Sequence, residues 1–573
     1  MTGRQPSTAH DSHARLNAAD ALLAQGRQLD AVQVLLKGVS LHPRDARIRF
    51  ALAGALEGCP LDSAGPAVRE ILLDLCRDEN IATQCLADAV IGLTKNSPQF
   101  PGLLEASISG RDLLAGDAAA LKAFVREPLL PALLARAVAN DPELERVLVH
   151  LRRCLLFHCD AEHGRLDAGD AVSFEYACAL ARQCFNTEYA MFAADDETGP
   201  LDRLRGRIDA LLDGPDGAPA AIEWLLVMAA LYGPLSRLPR WERLLQRPSD
   251  SFSDAFRPIW RDQVVHHRQE RELAERIEAL TPVTHQVSRA VRSHYEESPY
   301  PRWLALHRPQ ARSLAQLVPG LAARGQTGVR GSILIAGGGT GQHPIHTAMT
   351  FPDCEVIAVD LSRASLAYAT RMAERFEVRN LSFRQADILE LAGWGRQFDL
   401  IESLGVLHHM KDPMAGWRVL TGLLRIGGTM RIGLYSAIAR RPLQAAREFV
   451  RQSGFPGTPD GIRKCRRAIL GLPEHHPARI VLMSDDFYSS SGCRDLIMHV
   501  QEHSFTLPQI GSCLRELGLQ LIGLQCHPEV SAAFRATYPD PAALTDLSSW
   551  DQFETLHPEI FRGMYQFSCG RRD

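Results

Sequence analysis

Three glycines at alternate positions in Ala336-Gly337-Gly338-Gly339-Thr340-Gly341 follow the apolar run Ile333-Leu334-Ile335. A turn built this way lets backbone N–H groups approach a ligand with no side chain between, and an acid after the second strand can accept hydrogen bonds from both hydroxyls of a ribose. Asp360 stands at the end of the next apolar run, Glu355 to Val359, and Asp387 at the end of a third, Leu381 to Gln385. The glycine turn with Asp360 is a pattern shared by nucleotide-binding folds. The spacing is Gly-x-Gly-x-Gly, and Gln342 occupies the place a dinucleotide fingerprint gives to glycine, which leaves less provision for a pyrophosphate. His408 and His409 follow a fourth run, Phe398 to Ser403; imidazole titrates near neutrality and can take a proton from a reacting group. Plainer roles exist for each: Asp360 capping a helix, Asp387 closing a turn, the histidines bonding backbone or facing solvent.

Such residues need strands to present them. Strand-like Ile333 to Ala336 leads through the glycine loop into a helix with Pro344 near its first turn, and then come strand Glu355 to Val359, helix Ala364 to Phe376 and strand Leu381 to Gln385. Strand Phe398 to Ser403, helix Pro413 to Leu424 and strand Met430 to Tyr435 continue the alternation. Alternating β and α predicts a parallel, doubly wound sheet, whose ligands bind beyond the carboxyl ends of the strands. After a late helix, Leu507 to Leu517, the stretches Gln520 to Gln525 and Met564 to Ser568 supply two last, antiparallel strands, for seven in all.

From about Ser332 to Ser436 the chain resembles the class I, Rossmann-like, S-adenosylmethionine-dependent methyltransferases. The motifs that carry the resemblance are the glycine loop, Asp360, Gln385-Ala-Asp387-Ile388, the stretch Phe398 to His409, and Leu424-Arg-Ile-Gly-Gly428. The resemblance implies S-adenosylmethionine as cofactor, with Gly337, Gly338, Gly339 and Gly341 under its methionine and ribose, Asp360 and Leu361 at the ribose, Asp387 and Ile388 at the adenine, and Ser403 with Leu404 near the sulfonium. Two positions depart from it. Ala336 replaces the usual acid or amide, removing one contact to the methionine amino group, and Ile426 replaces a proline before Gly427-Gly428. The expected activity is methyl transfer to an N or O acceptor on an unidentified protein or small molecule, with His408 or His409 as base. A catalytically silent S-adenosylmethionine- or nucleotide-binding scaffold is the alternative, and an aminopropyltransferase-like enzyme lacks an evident acidic amine pocket. Strand four does not end in Asn-Pro-Pro-Tyr or Asp-Pro-Pro-Tyr, so amide and base amino groups are less expected acceptors.

The long insertion Ala437 to Phe505 is expected to form a substrate lid (437–505). Its first part is basic, with Arg440, Arg441, Arg447, Arg451, Arg463, Lys464, Arg466 and Arg467, which suits an acidic or phosphate-bearing acceptor or simply a solvated face. Its second part is polar, and Asp495, His499 and His503 recur every four residues as on one helix face. Arg441, Tyr488, Arg494 and His499 are the expected substrate contacts. His499-x-x-Glu502-His503 also spells the inverted zinc-peptidase motif; the lid explains the stretch without a metal, and none is expected.

Upstream, 12–280 reads as an all-α region. It is similar to a tetratricopeptide repeat at 12–60, where Leu22, Val32, Leu35, Leu36 and Leu41 keep helical spacing, Gly26 marks a turn, and Gly26, Ala31 and Pro43 fall at the small and breaking positions. Further helices are expected at Ala67 to Arg77, Ile81 to Thr94, Leu129 to Ala139, Glu143 to Phe157, Phe174 to Phe185 and Ala220 to Leu231. Repeats stack to bury their own apolar faces; a protein partner is the second role open to them. A connecting segment, 281–331, carries Tyr295-Glu-Glu-Ser-Pro-Tyr-Pro-Arg-Trp303, a helix-like Leu314 to Ala323 and the run Arg324 to Gly331; its aromatic and proline-rich core suggests a segment fixed against a surface. The methyltransferase domain is expected at 332–573.

The 573 residues exceed one ordinary core, and 46% hydrophobic with 23% charged residues is a globular composition. A net charge of -4 gives no global attraction to nucleic acid or anionic membrane. Met1 to Ala14 lacks the apolar core of a signal peptide and Trp224 to Tyr232 is too short to span a bilayer, so a cytoplasmic protein is expected. The 13 cysteines show no Cys-x-x-Cys spacing; Cys154 and Cys159, flanking His158, read as buried helix residues rather than a metal or disulfide site.

Overall fold

The computed structural model describes residues 8–115, 118–161, 172–213, 219–318 and 331–571. Two compact units emerge: one comprises Met1–Arg268 with Val450–Leu496, the other Gln269–Phe449 with Ile497–Asp573. The lid expected at 437–505 is therefore divided, its middle grouping with the helical region. The helix expected over Leu314 to Ala323 shows a 3-10 turn at Leu314–Gln316; its remainder and most of the run Arg324 to Gly331 lie outside the described residues, as does the start of Met1 to Ala14.

The first unit is helical. It opens with Thr8–Leu23, Gln28–Leu41 and Ala46–Leu56, and Gly26 takes the left-handed turn between the first two with φ 71. The expected helices at 67–77, 143–157, 174–185 and 220–231 appear as Pro66–Arg77, Pro142–Ala161, Phe174–Asn186 and Pro219–Ala230. The stretch at 81–94 splits into a 3-10 turn, Thr83–Leu86, and helix Ala87–Lys95. The helix from Leu129 stops at Leu134, whose carbonyl accepts from Asn186 Nδ2 at 3.3 Å, while the Val138 N–H turns to Gln84 Oε1 at 2.8 Å. All 13 cysteines are free, and Cys154 and Cys159 are buried. Burial pushes the thiols of both up to about 11.

The segment Val450–Leu496 is held in this unit by charge. Arg466 is 1% exposed and forms a two-pronged pair with Glu145, Nη1 to Oε1 at 3.1 Å and Nη2 to Oε2 at 2.7 Å. Its Nε donates to Phe487 O at 2.6 Å and its Nη1 to Ala190 O at 2.6 Å, so the buried guanidinium is well satisfied. Glu188, in left-handed backbone at φ 53, accepts from Ser491 N at 2.6 Å and Ser491 Oγ at 2.9 Å.

The second unit is built on one seven-stranded sheet in the order β3-β2-β1-β4-β5-β7-β6: β1 Ser332–Ala336, β2 Glu355–Asp360, β3 Leu381–Gln385, β4 Phe398–Leu404, β5 Leu424–Leu434, β6 Leu519–Gln525 and β7 Tyr565–Arg571. Strands β1 to β5 are parallel, and β7 runs antiparallel to both β5 and β6. Only β7 is thus reversed; β6, antiparallel to its partner, points along β1–β5. Side chains alternate between two apolar layers as the pleat requires: Leu334 and Ala336 join one with Trp417, Leu420 and Ile510, while Ile333 and Ile335 join the other with Ile345, Leu366 and Met372. Ala336 lies fully buried in the first layer, where an acid would be set among apolar neighbours. Strand β5 begins at Leu424, six residues before the expected start. Its register slips between Phe398 and Leu400, and the slack is taken up at Gly427, with φ 72, and at Gly428, where a Cβ would lie 3.0 Å from Asp399 O.

Removing one partner of a buried ion pair strands the other charge, at a cost of about 3–5 kcal/mol. Glu145→Ala is expected to destabilise the first unit by that order in urea denaturation and to raise hydrogen exchange across Val450–Leu496; a loss under about 1 kcal/mol would show that the pair does not hold the segment.

Candidate active site

The sheet reverses its winding between β1 and β4, and the glycine loop emerges at that point. Gly337, Gly339 and Gly341 have φ of 93, 49 and 88. A Cβ on Gly337 would come within 2.1 Å of Val406 Cγ2, and one on Gly341 within 2.6 Å of Ala369 Cβ, so conformation and space both require glycine there. The loop folds onto β2: Gly337 and Gly338 donate N–H to Val359 O at 2.8 and 2.9 Å, and Gly339 N–H donates to Asp360 Oδ2 at 2.8 Å.

Asp360 accepts from Ser362 N through Oδ1 at 2.9 Å. Burial raises its carboxyl above the ordinary value, against the backbone N–H groups of Ser362 and Gly339 that favour the charged form. Ser362 is the side chain that caps helix Arg363–Arg375, so capping is not what Asp360 does. Leu361 beside it accepts from Gln385 Nε2 at 2.9 Å. Asp387 is 2% exposed; its Oδ1 closes the turn to Leu389 N at 3.1 Å, and its Oδ2 is buried with no hydrogen-bond partner. Ile388 is buried next to it, and Ser403, near the end of β4, has an enclosed Oγ likewise without partner.

The segment 278–303 covers these strand ends, a role that the aromatic and proline-rich stretch signalled without naming its target. Leu280 N donates to Gln385 O and Gln385 N to Glu278 O, both at 2.8 Å, closing the β3 edge. Thr281 Oγ1 accepts from Asp387 N at 2.8 Å. Helix Gln286–Glu297 brings Glu296 to the N–H groups of Arg363 and Ala364 at 2.8 and 3.2 Å. Thr340 Oγ1 donates to Pro301 O, and Trp303 Nε1 donates to Thr340 O at 2.9 Å. The segment thus touches the Asp387, Asp360 and glycine turns in succession.

Beneath the loop, Glu402 ties its following helix, Gln342–Thr350, to β4 and β5 by accepting from His343 Nε2 at 2.9 Å, Thr347 Oγ1 at 2.8 Å and Arg431 Nη1 at 2.6 Å. Burial opposes its charge, yet His343 and Arg431 hold the carboxyl at about 2.

Past β4 the aromatic groups stack. His408 lies 3.8 Å from the Tyr435 ring centroid and His409 3.7 Å from that of His499; His499 in turn meets His294 and Tyr295 of helix 286–297. His409 Nδ1 faces Gln501 O at 2.8 Å. A ring nitrogen facing a carbonyl carries the proton, so the lone pair of neutral His409 is on Nε2. Burial pushes His409 down to about 4, and burial with the neighbouring His409 pushes His408 well below its usual range. His408 is fully enclosed with both ring nitrogens unpartnered.

Of the expected substrate contacts, His499 belongs to this cluster and Arg441 is exposed. Tyr488 and Arg494 fall in the first unit, where Tyr488 is 1% exposed and its hydroxyl donates to Leu482 O at 3.1 Å, a packing role. The shared helix face of Asp495, His499 and His503 does not form, because the helix Ser490–Met498 ends before His499. His503 N instead donates to His408 O and Phe505 N to Tyr435 O, both at 2.8 Å, so the chain runs extended beside the strand ends. The inverted zinc motif loses its helix in the same way, and Glu502 is engaged by Arg440 at 3.1 Å and by Arg447 at 2.6 Å. Sequence named Arg440 only within the basic stretch and Glu502 only within the zinc-peptidase motif, and did not single out Tyr435; Tyr435 directly follows β5 at the face where ligands bind, which is the signal that could have found it.

Residues 334–430 match the family model described as a methyltransferase domain. This stretch of the second unit is thus similar to methyltransferase domains. The chain is 28% identical over 258 residues to an uncharacterized protein of Synechococcus sp., covering 42% of this chain and 60% of that protein. It is 28% identical over 105 residues to the ubiquinone biosynthesis O-methyltransferase of Acinetobacter baylyi, covering 18% and 43%. The chain therefore spans about half the length of these relatives. Among solved structures, PKMT2 from Rickettsia typhi in complex with AdoHcy aligns over 43% of this chain and 50% of its own, at 15% identity and a TM-score of 0.33. No helix of the described residues is long and apolar enough to cross a membrane.

The histidine pair makes a pH prediction for the second unit. With the folded pKa of His409 near 4 against 6.5 ordinarily, the unfolded chain binds more protons between those values. Its stabilising contribution is therefore complete above pH 6.5 and is lost as pH falls toward 4, by up to about 1.4 kcal/mol per pH unit for each histidine. Thermal melts at pH 7.5 and 5.0 are expected to show a smaller acid-induced drop in His409→Gln than in the parent; an equal drop would contradict the assignment.

Proposed function

We propose that the second unit binds S-adenosylmethionine across the carboxyl ends of β1, β2 and β3 and directs its methyl group to an N or O atom of a protein or small-molecule acceptor placed beyond β4 and β5. The observation that carries this reading is the run of ligand-ready groups along three successive strand ends. These are the loop at 337–341, with Gly337 and Gly341 at positions no side chain could take, the Asp360 carboxylate bonded to that loop, and Asp387 with one oxygen unused. They fit the cofactor: Gly337, Gly338, Gly339 and Gly341 would pass under methionine and ribose, Asp360 and Leu361 would hold the ribose, and Asp387 with Ile388 the adenine. Ser403 would lie near the sulfonium.

The bound cofactor supplies a methyl group already activated by its sulfonium, so the chain has to align an acceptor and exclude water. Alignment falls to the segments after β4 and β5. With the cofactor bound, a proton shed by the acceptor on methylation would go to His409 Nε2, the ring nitrogen left with the lone pair when Nδ1 faces Gln501 O. Enclosure of both nitrogens of His408 supports a positioning role for it, against Tyr435. A base held near 4 is weak at neutral pH, so its help in proton transfer falls at the low end of general-base effects, about 100-fold.

Two measurements test this reading. Asp360→Ala is expected to weaken S-adenosylhomocysteine binding at least about 10-fold by isothermal titration, and unchanged affinity would remove Asp360 from the site. With an acceptor in hand, His409→Gln is expected to lower kcat by about 100-fold with KM for S-adenosylmethionine little changed; wild-type turnover in the variant would exclude it as the base.

A further inference from the structure

Each unit buries more than one arginine, and two of them, Arg466 in the first and Arg440 in the second, are satisfied very differently. Arg466 spends Nε, Nη1 and Nη2 on four acceptor atoms. Arg440 is 8% exposed, yet among the described residues its guanidinium makes one hydrogen bond, Nη2 to Glu502 Oε2 at 3.1 Å. Its Nε is buried without an acceptor. Glu502 is held more closely by Arg447, whose Nη1 and Nη2 reach its two oxygens at 2.6 Å each. A guanidinium has five N–H donors, and leaving them unmade in a buried place is costly.

Arg440 is stacked on Tyr435. Its Cζ is 3.4 Å from the Tyr435 centroid, and the His408 ring stacks at 3.8 Å from that centroid. Groups so close to one centroid cannot share a face, so the tyrosine is sandwiched between them. His409 meets the same tyrosine edge-on at 5.8 Å. Unspent N–H donors therefore stand one ring away from the imidazole proposed to receive the acceptor's proton.

We propose that the acceptor is a singly charged carboxylate compound, its oxygens bound by the unspent N–H groups of Arg440 while the atom to be methylated lies at His409 Nε2. This rests on the methyltransferase reading above. One charge suits the site because Arg447 is committed to Glu502 through both terminal nitrogens, which leaves Arg440 to meet the ligand; a phosphate dianion would call for a second cation. Arg440 is then a specificity-determining residue, and Arg441, its exposed neighbour, is not.

The experiment uses the full-length protein saturated with S-adenosylhomocysteine and titrated with three probes: benzoate, its uncharged isostere benzamide, and inorganic phosphate. Benzoate is expected to bind and raise the melting temperature, with benzamide and phosphate each at least about 10-fold weaker. Arg440→Gln should weaken benzoate by about 10–100-fold, the loss of a charge-assisted bond. Arg440→Lys should retain part of it, and Arg418→Gln, an exposed residue paired with Glu516, should leave it unchanged. Equal binding of benzoate and benzamide, no binding of benzoate, stronger binding of phosphate, or full binding by Arg440→Gln would each overturn the proposal. The wild-type comparison of acid with amide stands even if Arg440→Gln fails to fold. Failure to bind S-adenosylhomocysteine in the first place would overturn the methyltransferase reading itself.

Discussion

The bond from the Gly339 N–H to the Asp360 carboxylate, with the paired N–H groups of Gly337 and Gly338 on Val359 O, is the joint on which the site turns. It fixes the first strand's loop to the second strand's end, and it forms only in a backbone with positive φ at alternate residues. The glycines also admit neighbours that a side chain would displace: Val406 against Gly337 and Ala369 against Gly341. Through Val406 the loop sets the start of the segment that carries His408 and His409. The strand ends proposed for the cofactor and the segment proposed for the acceptor are thus adjusted by the same few backbone atoms.

A second layer of constraint comes from segments remote in sequence. The stretch 278–303 lays hydrogen bonds on the Asp387, Asp360 and glycine turns in turn, and Phe505 closes on Tyr435 at the end of β5. The insertion contributes at its ends, since Val450–Leu496 belongs to the helical unit. By chain connectivity alone, Arg447 lies just before that excursion and His499 and Glu502 just after it. Arg466 and Glu145 hold the excursion with a charge pair that burial would otherwise penalise, and the additional carbonyl acceptors on Arg466 are what make the pair tenable.

Much of the core fold was legible in the sequence. The five parallel strands, the glycine turn and the two strand-end aspartates were located because short apolar runs, glycine spacing and terminal acids are local signals. The start of β5 was not, because Leu424 enters the sheet only through a register slip that Gly427 and Gly428 absorb. The direction of β6 also escaped, since it follows from pairing with β7 across nearly forty intervening residues rather than from its own pattern. Four-residue spacing misled at Asp495, His499 and His503, where the helix ends at Met498 and the backbone turns to bond His408 and Tyr435 instead.

The arginines of the insertion draw the line between the two kinds of information. Sequence by itself determined that the loop after β1 must be backbone, that acids end β2 and β3, and that a basic stretch follows β5, because φ preference, strand alternation and charge are properties of a residue and its near neighbours. Which arginine is consumed and which is offered was decided only by tertiary structure. Arg466 meets Glu145 across 321 positions of chain, and Arg440 meets Glu502 across 62; whether a buried donor finds its acceptor depends on packing that no local pattern encodes.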